Sequence, residues 1–115
     1  MNKCIAIIAG EPNSISSEII FKSWKSKNQF IHKPLFVIGS IRLLNLQRKK
    51  LKYQIKIKKI NDRFRINDLK SGELPVYDIK YNQKKPFEKI SNKSNKYIFK
   101  CFDVAIKFVK DKKII

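Results

Sequence analysis

Histidine occurs once in this chain, at position 32, so one copy cannot assemble a metal cage of the several-histidine kind. Cysteine is nearly as scarce. Cys4 and Cys101 are too few and too far apart for a disulfide framework or a zinc site, and they read as buried thiols of a reducing compartment. With three glycines in all, the chain has no GxGxxG turn after its first strand and no phosphate-loop lysine motif. No apolar run is long enough to cross a bilayer, and the N-terminus lacks the apolar segment of a signal peptide. These absences imply a cytoplasmic protein without a membrane partner.

Acidic residues are also few, nine against 27 basic ones, for a formal net charge of +18. Such an excess suggests a polyanion partner, but its make-up argues otherwise. Of the basic residues 23 are lysines, and only Arg42, Arg48, Arg63 and Arg65 are arginines. Ile, Lys and Asn together account for 51 of 115 residues, all three with A/T-rich codons, which a coding bias raises together. Readers of nucleic acid favour arginine, whose planar fork matches phosphate and guanine. The lysines therefore read as solvated surface, and a nucleic acid is not expected as a partner; a small basic nucleic-acid-binding α/β protein is the alternative.

What is present is a chain of one domain's length, 1–115, with 43% apolar residues, enough for a globular core. Lys3 to Ala9 reads as a central strand of a parallel sheet, apolar on both faces. Ser14 is the expected N-cap of a helix from Ile15 to about Lys27, with Ile15, Ile19, Ile20 and Trp24 on its packed side. After the break at Lys33-Pro34, Leu35 to Ile38 forms a second strand ending at Gly39. Ser40 caps a second helix whose apolar side holds Ile41, Leu44, Leu43 and Leu46.

Tyr53 to Ile60 alternates apolar and polar residues as an exposed edge strand, its lysines guarding the edge. Leu74 to Ile79 is a short extended segment, and Lys84 to Lys89 a polar loop. Ser91 or Ser94 starts the clearest helix, running to about Lys112, with Ile98, Cys101, Phe102, Ala105, Ile106 and Val109 on its buried face. Ile114-Ile115 looks like the start of another strand, which suggests a truncated sheet. The order β-α-β-α-β-(β)-α predicts an α/β fold, a mainly parallel sheet with flanking helices.

The stretch Ile5 to Ile19, IAIIAGEPNSISSEI, carries the most information. A buried strand stops at Gly10-Glu11-Pro12 and passes through a polar loop into a helix N-terminus, where free N–H groups and the helix dipole favour anions. The candidate cleft loop is therefore Gly10, Glu11, Pro12, Asn13 and Ser14. The structural alternative is that Gly10 relieves a tight turn, Pro12 stiffens it and Glu11 caps backbone donors.

The string GEPNSISSEI resembles the GEPAGIGPEI signature that opens 4-hydroxythreonine-4-phosphate dehydrogenases of pyridoxal phosphate biosynthesis. Gly10, Glu11, Pro12, Ile15, Glu18 and Ile19 match it; Asn13, Ser14, Ser16 and Ser17 depart, with Ser14 and Ser16 standing where that family has glycine. LFVIGSIRLL is similar to the family's second strand and helix, and the helix entered at Ser91-Asn92-Lys93-Ser94 to the helix before its threonine-glycine-proline motif.

The resemblance implies that this is the N-terminal, incomplete part of a two-domain isocitrate/isopropylmalate-dehydrogenase-like fold. It implies an enzyme that oxidises 4-phosphooxy-threonine, a small phosphorylated amino acid, with NAD or NADP and a divalent metal, as a homodimer. It places the metal histidines and main phosphate-binding residues after residue 115. His32 matches none of them and reads as a loop residue, so no catalytic or metal position is carried onto this segment, which would be inactive alone.

Overall fold

The computed structural model describes residues 4–26 and 34–111. His32, the expected helix end at Lys27, the break at Lys33, the strand start at Lys3 and the segment 112–115 lie outside the described residues. Along the chain come β1 (Ile5–Ile8), α1 (Ser16–Lys25), β2 (Leu35–Gly39), α2 (Ile41–Lys50), β3 (Ile57–Ile60), β4 (Leu74–Asp78) and α3 (Asn95–Lys110). Short 3-10 turns, Ile66–Leu69 and Asn92–Ser94, precede β4 and α3.

The four strands form one sheet in the order β1-β2-β4-β3, and every neighbouring pair is parallel. Alternation along the strands divides the core. Ile5 and Ile7, Leu35 and Val37, Leu74 and Val76 face one side, where Ile20, Phe21 and Trp24 of α1 and Leu44 of α2 cover them. Ala6 and Ile8, Phe36 and Ile38 face the other, against Tyr97, Cys101 and Phe108 of α3. The result is a three-layer α/β/α arrangement, as the alternating element order requires.

Several expectations need correction. The segment before β3 is shorter in strand than its alternation suggests, with pairing confined to Ile57–Ile60, although its edge position holds. β1, read as central, pairs only with β2 among the described residues. Its apolar residues on both faces reflect helices above and below rather than strands on both sides. β4, which looked like a minor extended piece, is the strand between β2 and β3, with Leu74, Pro75 and Val76 buried. Pro75 is tolerated there because the β2–β4 ladder begins one residue later, at Val37–Val76.

The helices also turn differently. α1 starts from Ile15 rather than Ser14 as its cap residue, and Ile15 and Ile19 point outward while Ser17, Ile20, Phe21 and Trp24 are buried. In α3 the inward line is Tyr97, Cys101 and Phe108; Phe102, Ile106 and Val109 are about half exposed, and Phe99 is more exposed still. The apolar arc of α3 is wider than the surface it packs on, so spacing alone could not say which part of the arc faces in. Aromatic packing decides it. Phe108 meets Phe36, Phe64 and Tyr77 in edge-on contacts with centroids 5.3–5.7 Å apart, an arrangement that ring quadrupoles favour.

Gly39 ends β2 where its neighbours leave no room for a side chain. A Cβ added there would lie 2.7 Å from the Ala9 Cβ and 3.1 Å from the Tyr97 hydroxyl. Gly39→Ala is expected to lower stability by roughly 1–3 kcal/mol through overpacking, read as a fall in the urea midpoint at constant slope.

Cys101 in the core and the partly buried Tyr77 help to make the fold alkali-sensitive. Burial, opposed by the Tyr97 hydroxyl hydrogen bond, pushes the Cys101 thiol from 9.0 up to about 11. The hydrogen bond from Tyr77 to the Asp62 carboxylate, then burial, pushes the Tyr77 phenol from 10.0 up to about 12. Below pH 9 both are neutral in folded and unfolded chain alike, and their contribution is whole. As pH rises from 9 toward 11 the unfolded chain releases the Cys101 proton while the folded chain retains it, so stability falls; Tyr77 adds a second loss between 10 and about 12. Denaturant titrations at stepped pH are expected to show this decline, and Cys101→Ala to make it shallower just above pH 9.

Candidate functional site

In a parallel sheet all strands point the same way, so their C-terminal ends meet at one edge. Here that edge gathers the Gly10–Ser14 loop after β1, the start of α2 after β2, and the segment that leaves β4 and leads to α3. Gly10 has φ +75°, a left-handed conformation that a side chain resists, and nothing nearer than 3.5 Å would meet a Cβ there. Backbone conformation rather than close packing therefore selects glycine at this position.

The five loop residues are brought together, and most of their polar groups are bonded within the protein. Glu11 accepts the Asn13 N–H through Oε1 at 3.2 Å and the Ser94 hydroxyl through Oε2 at 3.1 Å, joining the loop to the entry of α3. The Glu11 carbonyl accepts the Ser14 N–H and hydroxyl. Ser14 Oγ lies 2.8 Å from Ser16 Oγ and accepts the Ser16 N–H, satisfying the first donor of α1. The serine hydroxyls at 14 and 16 thus serve the loop itself.

Three further residues complete the arrangement: Gln47 and Gln83, which sequence reading passed over, and Ser94, which it named only as a helix start. Gln47, buried in α2, donates its amide to the Pro12 carbonyl at 2.6 Å and to the Pro86 carbonyl at 2.9 Å. Gln83 and Asn13 form a reciprocal amide pair of 3.1 and 2.7 Å, and Asn13 Oδ1 also accepts the Glu88 N–H. Ser94 is the third, through its bond to Glu11. A glutamine in line with Leu43 and Leu44 on the inward side of α2 was the available signal for Gln47; Gln83 sits in an irregular stretch with no such signal.

The start of α2 is closed by protein acceptors. Ser40 Oγ accepts the Leu43 N–H, Asp78 Oδ1 accepts the Ile41 N–H at 2.9 Å, and the Tyr97 hydroxyl accepts the Ser40 N–H at 2.8 Å. With a carboxylate already there, this helix end does not attract a second anion. Burial, then the neighbouring Cys101, pushes the Tyr97 phenol well above its ordinary value, so it stays a neutral hydrogen-bonding group.

Beside the loop an open groove of about 520 Å³ is lined by Asn13, Ser14, Ile15, Glu18, Phe87 and Ile90. Ile15 and Ile90 are 69% and 60% exposed there, an apolar wall facing a polar loop. Among the described residues no group of three His, Cys, Asp or Glu side chains converges as a metal ion requires. The site as described is a braced loop beside a groove, a scaffold that positions backbone rather than a set of reactive groups.

No protein-family model and no curated protein sequence matches the chain. Solved structures do. A 4-hydroxythreonine-4-phosphate dehydrogenase from Burkholderia phymatum superposes with TM-score 0.83 at 20% identity, covering 99% of this chain and 34% of that one. A structure described as a candidate 4-hydroxythreonine-4-phosphate dehydrogenase from Salmonella typhimurium gives 0.80 at 24% identity, covering 99% and 35%. The chain thus has the fold of a part of these proteins and spans about a third of their length.

Removing the Gln47 amide takes the donor from the Pro12 carbonyl and leaves the Pro86 carbonyl with only the longer, 3.4 Å bond from Gln83. Gln47→Ala is expected to cost about 2–4 kcal/mol of stability and to speed hydrogen exchange in the loop at 10–14 and the segment 84–88, with little change in the strands.

Proposed function

We propose that this chain is part of a 4-hydroxythreonine-4-phosphate dehydrogenase and builds one wall of its substrate cleft. One observation carries the reading: a string similar to that family's opening signature occupies the β1–α1 loop, at the strand-end edge of a chain whose fold matches two structures bearing that name. That reading implies oxidation of the hydroxyl of 4-phosphooxy-L-threonine, for which NAD or NADP would supply the hydride acceptor and a divalent metal the Lewis acid. A homodimer in the cytoplasm is the expected setting.

The described residues do not fit the metal or the dinucleotide, since they offer neither a converging set of ligands nor a glycine-rich turn after β1. No step of the reaction is assigned to them. Their role is positional: Glu11 ties the loop to α3, and Gln47 and Asn13 hold it against the 83–88 segment. What the loop offers a ligand is a fixed surface of backbone and the groove beside it.

The test is to express the whole product of the gene encoding this chain. It is then assayed for reduction of NAD or NADP with 4-phosphooxy-L-threonine and a divalent metal. Turnover that a chelator abolishes is expected, and no turnover from residues 1–115 alone. An inactive whole product whose 1–115 segment binds RNA with affinity falling steeply as salt rises would overturn the reading in favour of a polyanion-binding protein.

A further inference from the structure

Ser17 is 5% exposed, and its hydroxyl is the one buried side-chain polar atom among the described residues that has no hydrogen-bond partner. A serine in a helix ordinarily turns its hydroxyl to solvent or back to a carbonyl of the preceding turn. Ser17 does neither. It lines a small chamber behind the Gly10–Ser14 loop, shared with Glu11, Pro12, Gln47 and Tyr97, with leucines of α2 closing the rest.

The volume there open to the centre of a water-sized sphere is about 10 Å³, close to what one water needs. The polar character of the walls matters as much as the size. Apolar cavities of the protein interior stay dry, whereas a chamber offering two to four polar partners holds water. Ser17 brings a donor and an acceptor. Gln47 spends its amide nitrogen on the Pro12 and Pro86 carbonyls and still carries a carbonyl acceptor. Glu11 brings a carboxylate, which also makes the chamber unfavourable for an anion.

We propose that one water molecule resides in this chamber, bridging the Ser17 hydroxyl of α1 to the polar groups behind the Gly10–Ser14 loop. The water gives the buried hydroxyl its partner and supplies a brace between helix and loop that no side chain makes directly.

A high-resolution crystal structure of the chain is expected to show ordered density within about 3.2 Å of Ser17 Oγ and within reach of a second polar wall group. Ser17→Ala is expected to lose that density and to lower the unfolding midpoint by about 2–5 °C. A chamber found dry, or a variant with a raised midpoint, would overturn the proposal, because deleting a truly orphaned hydroxyl relieves the fold. Should the variant fail to fold, magnetisation transfer from long-lived water to the Ser17 and Glu18 amides of the unaltered chain decides: a signal supports the water, and its absence rejects it.

Discussion

The Tyr97 hydroxyl accepts the Ser40 N–H at 2.8 Å from the layer on the far side of the sheet, across the end of β2. The approach is open because Gly39 presents no side chain where a Cβ would come within 3.1 Å of that hydroxyl. Much of the molecule follows from this contact. Together with the Phe108 ring contacts it holds α3 with Tyr97 and Cys101 inward and Phe102 and Ile106 half exposed. It sets the height at which α3 begins, and so where Ser94 stands to meet Glu11. A neutral phenol suits the position: burial disfavours its anion, and the hydrogen bond to Ser40 needs only an oxygen lone pair.

From that anchor the strand-end edge is braced by amides and hydroxyls more than by ions. The Gly10–Ser14 loop is held from α2 by Gln47, from the 83–88 segment by Gln83 and the Glu88 N–H, and from α3 by Ser94. Glu11 brings a carboxylate to the loop, and both its oxygens accept hydrogen bonds. Such a network is directional and, unlike a surface ion pair, is little weakened by salt. It suits a segment whose task is to keep a loop in place. Three of the four positions that depart from the resembled signature take part in it: Asn13 pairs with Gln83, and Ser14 bonds Ser16. The serines thus serve as local capping groups.

The large positive charge plays little part in this architecture. Lysines are exposed along α1 and α3, where Glu18 pairs with Lys22 at 3.3 Å; Asp68 and Lys58 stand 4.0 Å apart beside β3. Contacts of that kind add little in water. Stability rests instead on the two apolar clusters above and below the sheet, which strand alternation fills with β-branched and aromatic residues.

Local pattern by itself determined the kinds of element and their sequence: the β-branched runs of β1 and β2, the Ser40 cap of α2, and the helical stretch of α3 were all legible, and with them a parallel α/β fold. These features depend on residues within a few positions of one another, where backbone sterics and side-chain periodicity act directly. Only the tertiary structure decided that β4 stands inside the sheet and β1 at a border of its described part, and that Ile15 and Ile19 face outward. It also decided that Asn13 finds Gln83 seventy residues away and that Gln47 reaches Pro12. These outcomes depend on which surfaces meet in space. A helix with an apolar arc wider than its footprint, or a buried amide awaiting carbonyls from two distant loops, carries no local mark of its partner.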